Sequence, residues 1–158
     1  MGYEALRKGR FSEINRAYFV TTVTLDRKAL FTDLKLARIV INVMKQLDRD
    51  GYVHSLSWML MPDHLHWLFQ LGNGFKRGSN KFEPTLSAAM KRLKAVSAQK
   101  VNLYLNRRGS IWQKAYYDHG VRDGEDIKQL SRYIVANPLR AGLIDDIGDY
   151  PHWDSAWL

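Results

Sequence analysis

The chain has no cysteine. That excludes a disulfide framework, a thiolate zinc site and a cysteine nucleophile, and it fits a protein of the reducing cytoplasm. No apolar stretch reaches membrane-spanning length, and the first eight residues carry no apolar run like that of a signal peptide. A membrane is therefore not an expected partner. Acids are scarce beside bases, 16 Asp and Glu against 24 Lys and Arg, giving a net charge of +8. A surface of that sign makes a polyanion, nucleic acid foremost, the expected partner. What remains is ordinary for a globular protein: 46% hydrophobic and 25% charged residues over 158 positions, the length of one domain with a real core.

Residues 1–15 mix charge, glycine and isolated apolar residues, and read as a basic arm carrying Arg7, Lys8 and Arg10. Aromatic and β-branched residues from Ala17 to Leu25 predict a first strand. Asp33 caps a helix to about Asp48, with Leu36, Ile39, Val40, Val43, Met44 and Leu47 at helical spacing. Tyr52 to Met61 predicts a second strand with His54, Leu56, Trp58 and Leu60 on one face. Pro62-Asp63 turns it into an antiparallel hairpin with His64–Leu71. The loop from Gly72 to Glu83 has three glycines but no Gly-Lys-Ser/Thr, so it is not a P-loop. Pro84 opens a long helix to about Asn106. Ile111 to Val121 predicts a fourth strand, and Glu125 to about Asn137 a third helix stopped by Pro138. Residues 139–158 read as a C-terminal tail whose Trp153 and Trp157 cover the core.

The order β-α-β-β-α-β plus a helix predicts one α+β domain over residues 1–158. Its form is the ferredoxin-like, split βαβ arrangement: an antiparallel sheet with two helices on one face and an extra C-terminal helix. Two clusters in this frame carry chemistry. The first is Met61-Pro62-Asp63-His64-Leu65-His66. On a strand His64 and His66 share a face about 7 Å apart, close enough to converge on one metal ion, while Leu65 points into the opposite layer. Alone, such a pair is more often two histidines that merely share a face. The second cluster lies on the third helix, where Ile127, Leu130 and Ile134 form an apolar stripe and Tyr133 and Asn137 sit together along its edge.

Taken together, Met61-Pro62-Asp63-His64-Leu65-His66 and Tyr133-Ile134-x-x-Asn137-Pro138-x-x-Ala141-Gly142-Leu143 resemble the REP-associated tyrosine transposases, a branch of the single-tyrosine HUH transposases. Gly9-Arg10-x-Ser12 and Trp112-Gln113-x-x-x-Tyr117-Asp118-His119 fit the same family, so the likeness runs from about residue 9 to 145. It implies a metal-dependent endonuclease and strand-transferase acting on single-stranded DNA that folds into hairpins, as monomer or homodimer. His64, His66 and Asn137 would then hold a divalent metal, Mg2+ or Mn2+, and Tyr133 would be the nucleophile. Asn137 stands where the wider family carries the longer Gln. Asp118 and His119 would support the site.

The basic residues Lys91, Arg92, Lys94, Arg107 and Arg108 make the second helix and its end the most positive segment, joining the N-terminal arm as candidate DNA contacts. A solvated basic helix fits them equally well. Asp63 reads as a turn residue and His54 as a core or supporting residue rather than ligands, and Ser131 lacks the neighbours of a serine nucleophile. The rival function is a non-catalytic module that binds single strands through aromatic platforms on the same fold.

Overall fold

In the computed structural model, residues 16–74, 81–122 and 127–156 are described. They build a five-stranded antiparallel sheet in the order β4-β1-β3-β2-β5, from β1 (Ala17–Val23), β2 (Val53–Met61), β3 (His64–Leu71), β4 (Tyr117–Gly120) and β5 (Trp153–Ser155). Helices α1 (Leu34–Arg49) and α2 (Leu86–Leu105) cover one face. Helix α3 (Ile127–Val135), followed by the short α4 (Asn137–Arg140), lies on the other. The expected ferredoxin-like frame is present.

Alternation along β3 divides the two layers. Leu65, Trp67, Phe69 and Leu71 enter the larger core with Val40, Met44, Leu47, Met90 and Leu93 of the two helices. Leu68 joins the smaller core with Met59, Met61, Ile134 and Val135. His64 and His66 have the parity of Leu68, so they belong to the α3 side. The helix starts are specified locally. Asp33 accepts from the Lys35 N–H at 2.9 Å, and Thr85 from the Ala88 N–H at 3.1 Å. Pro84 thus precedes the cap of α2 instead of opening the helix.

Other expectations also need correction. A bulge between Ser55 and Ser57 breaks the alternation of β2, so Leu56 packs with Met59 and Met61 while Trp58 and Leu60 face the larger core. His54 is exposed, neither core nor supporting.

The fourth strand is only four residues long. Ile111 and Trp112 plug the core instead, Trp112 donating its indole N–H to Ser97 Oγ at 2.9 Å. The Lys94 ammonium then ties down the carbonyls of Gln113 and Lys114, at 2.7 and 3.0 Å, and of Ala115 at 3.3 Å.

Pro138 does not stop the helix at Asn137. The break comes at Ala136, and Asn137 opens α4 with Pro138 in its first turn, where a missing N–H costs least.

The expected C-terminal tail is instead ordered structure: β5 extends the sheet beyond β2, helped by Leu60 N–H to His152 O at 2.9 Å and Ala156 N–H to Leu56 O at 2.7 Å. Trp153 packs against the smaller core, as expected; Trp157 lies outside the described residues.

Candidate active site

The hairpin turn that carries the histidines is pinned by three hydrogen bonds. Thr24 N–H and Phe31 N–H donate to the carbonyls of Asp63 and Pro62 at 2.9 and 3.0 Å, and Thr24 Oγ1 adds a second bond to Asp63 O at 3.1 Å. Both imidazoles emerge on the α3 side with ring centres 4.7 Å apart.

Each ring is fixed through Nδ1. His64 Nδ1 donates to Asp63 Oδ1 at 2.6 Å, and His66 Nδ1 meets Thr21 Oγ1, its cross-strand neighbour, at 2.8 Å. Asp63 is therefore both turn residue and orienter of His64. Burial works to raise the Asp63 carboxyl, but the bond and charge of His64 and the Arg27 guanidinium outweigh it and hold the pKa below the usual carboxylate value. An ionised Asp63 accepts the Nδ1 proton, and the other ring nitrogen, Nε2, faces Asn137 Nδ2 at 3.3 Å. The sequence reading grouped this amide with the two histidines, and the structure brings it to His64 from 73 residues further along the chain.

The second ring has the electrostatics of a ligand too. Burial foremost, then the neighbouring His64 and Arg140, push His66 down to about pH 4, so it is neutral at physiological pH. Phe19 stacks on it, with centroids 5.6 Å apart.

Tyr133 lies one helical turn before Asn137 and is 56% exposed, its ring under the Arg140 guanidinium at 3.9 Å. Tyr133, Asn137 and Arg140 recur at intervals of four and three, one side of the α3–α4 segment. Arg140 escaped the sequence reading, although this spacing was available to find it; Thr21 escaped because only the sheet register brings it to His66.

Other expected residues are placed as follows. His119 pairs with Phe19 across β1–β4 and so shares the histidine face, whereas Asp118 pairs with Val20 and belongs to the opposite face. Lys91, Arg92 and Lys94 ride on α2, across the sheet from the histidines, and Arg107 and Arg108 follow its C-terminal end. Lys94 is engaged by the three carbonyls already named, and Arg92 lies over the Tyr52 ring. Arg7, Lys8 and Arg10 lie outside the described residues.

Two imidazoles and an amide, facing one another from a strand and a helix, suit a divalent ion that must keep open positions for a phosphate. Comparison with known proteins gives the family. The family model described as transposase, IS200 like, matches residues 13–137. The chain belongs to that family. It is 26% identical over 141 residues to a candidate REP-associated tyrosine transposase of Haemophilus influenzae, covering 85% of this chain and 77% of the relative. To a REP-associated tyrosine transposase of Escherichia coli it is 24% identical, covering 85% and 73%. A solved structure of a REP-associated tyrosine transposase bound to a REP hairpin superposes with a TM-score of 0.73 at 18% identity, covering 91% of this chain and 79% of that one. The protein is thus an enzyme of the tyrosine transposase class, and the fold is that of the hairpin-bound relative. Among the described residues, no helix is long and apolar enough to cross a membrane.

Proposed function

We propose that the chain cuts and rejoins single-stranded DNA flanking a hairpin, through a covalent bond to Tyr133. The observation that carries this reading is the meeting of His64, His66 and Asn137 one helical turn from an exposed tyrosine. A binding module has no use for that set.

His64 and His66, through Nε2, and Asn137, through its amide oxygen, would hold Mg2+ or Mn2+. Rotation of the amide exchanges Nδ2 for Oδ1 at the position beside His64. The bound cation supplies charge to the non-bridging phosphate oxygens. Asp63 and Thr21 keep the imidazoles oriented, and Arg140 adds a fixed positive charge beside Tyr133. The Tyr133 oxygen attacks phosphorus as its proton is lost; the P–O3′ bond breaks, leaving a 5′-phosphotyrosine and a 3′-hydroxyl. Because the phosphoester is kept, a 3′-hydroxyl can reverse the step and reseal the strand. The basic arm of residues 1–15 and the cations of α2 would add sequence-independent phosphate contacts.

The test is incubation with Mg2+ or Mn2+ and a labelled single-stranded hairpin substrate. A covalent protein–DNA adduct is expected, lost in Tyr133→Phe and on metal chelation, and reduced at least about 100-fold in His64→Ala and His66→Ala. Binding without cleavage would support the non-catalytic module. Cleavage surviving Tyr133→Phe would mean that water is the nucleophile.

A further inference from the structure

We propose that Phe19 and Tyr117 form a stacking platform for one unpaired nucleobase beside the reacting phosphate. The proposal rests on reading His64, His66 and Tyr133 as the DNA-cleaving site and extends that site across the sheet.

Helix α3 lies over β2, β3 and β5. On the same face Tyr117 of the edge strand β4 is exposed and Phe19 of β1 is half-buried against the smaller core, both placed by register. Phe19 pairs with His119 and Thr21 with Tyr117, while Thr21 also pairs with His66 on β3. Residues directly opposite in an antiparallel ladder share a face, so Phe19, Thr21, Tyr117 and His119 all stand on the histidine side. Asp118, the one acid of β4, is turned to the other side by the pleat, so no carboxylate of this strand faces an approaching phosphate.

The rings make a continuous run. Tyr117 meets Phe19 edge to face at 6.4 Å and 69°, Phe19 lies against His66 at 5.6 Å and 24°, and His66 meets His64 at 4.7 Å. Tyr117 is 60% exposed at the outer end, on an edge strand. One exposed tyrosine on a surface is ordinary. One joined through a second aromatic ring to a catalytic histidine pair is placed for use. Strand spacing puts β4 about 10 Å from β3, within reach of a nucleotide adjoining a phosphate held at the histidines. A nucleobase suits the platform because every base offers a π-face to stack on, and the net charge of +8 draws its phosphate.

The experiment uses the full chain carrying Tyr133→Phe, with Mg2+, and a hairpin oligonucleotide bearing 2-aminopurine at one single-stranded flanking position at a time. Fluorescence at one position should be quenched on binding. Tyr117→Ala should restore that fluorescence and weaken Kd by about tenfold, the range of one base–aromatic stack, while Tyr117→Trp keeps both. With an abasic residue at that position, Tyr117→Ala should cost nothing further. Phe19→Leu should weaken the same quenching. Quenching at no position, quenching and affinity indifferent to Tyr117→Ala, or an equal penalty on the abasic strand would overturn the proposal. The parent reading is judged separately, by adduct formation with Tyr133 present: failure there with Tyr117-dependent quenching intact sinks the nuclease and leaves the platform. Adduct formation with Tyr117-independent binding does the reverse.

Discussion

At the scale of single residues, the site is a problem of keeping two imidazoles aimed. His64 and His66 each spend Nδ1 on an oxygen supplied by their surroundings, Asp63 for one and Thr21 for the other. With Nδ1 engaged, Nε2 is the nitrogen each ring has left to offer, and partners of this kind orient an imidazole for a metal. The pKa of His66 gives a test in the metal-free protein. Its folded value is lowered from 6.5 to about 4, chiefly by burial. The unfolded chain therefore takes up this proton at a higher pH than the folded chain. Stability from this group is complete above pH 6.5 and declines as the pH falls towards 4. His152, lowered by burial and by Arg38, acts in the same direction. In chelator-treated protein the urea midpoint should fall between pH 6.5 and 4, and the NMR signal of His66 should keep its neutral position at pH 5.5. A His66 titration centred near 6.5 would contradict the buried, charge-flanked geometry.

At the scale of elements, the site depends on how α3 is seated. Ser131, two residues before Tyr133, joins Ser57 of β2 and Ser155 of β5 in a buried ring of three hydroxyls. Each hydroxyl can donate once and accept once, so the ring satisfies itself without water. Nonpolar packing of Ile134 and Val135 holds the helix down, but slides easily along the sheet; the hydroxyls fix its register. Ser131→Ala should cost about 1–2 kcal/mol, read from urea unfolding, because the two remaining serines still bond each other at 2.9 Å. Adduct formation should fall further than stability alone explains, while metal affinity at the histidines changes less. An unchanged adduct rate at full folding would show that the ring does not position Tyr133. The same scale explains what sequence reasoning misjudged. Periodicity alone cannot foresee the β2 bulge, nor that three carbonyls after Ile111 would be taken by Lys94 and so withheld from a ladder.

At the scale of the whole molecule, the two faces of the sheet divide the labour. One face is closed by α1 and α2 over the larger core, and the other carries the histidines, α3 and the aromatic run of β1 and β4. The basic residues of α2 are thereby separated from the histidines by the thickness of the sheet. The double variant K91A/R92A should leave the single-turnover cleavage rate within about twofold, with any loss confined to affinity and its salt dependence, the slope flattening by about 0.7 per lost phosphate contact. A tenfold fall in rate at saturating DNA would place that helix in the site after all.

The sequence by itself determined the order of elements through α3, the ferredoxin-like frame and the grouping of His64 with His66 and of Tyr133 with Asn137. These rest on local physics: alternation for the strands, helical spacing for α1 and α3, and a Pro-Asp turn that puts both histidines on one face. Only the tertiary structure decided that Asn137 meets His64, that Thr21 holds His66, that Arg140 covers Tyr133, and that the last residues form a fifth strand. Those contacts depend on sheet register and on how a helix is seated across it. A shift of one residue in either would part the same side chains while leaving every local pattern unchanged.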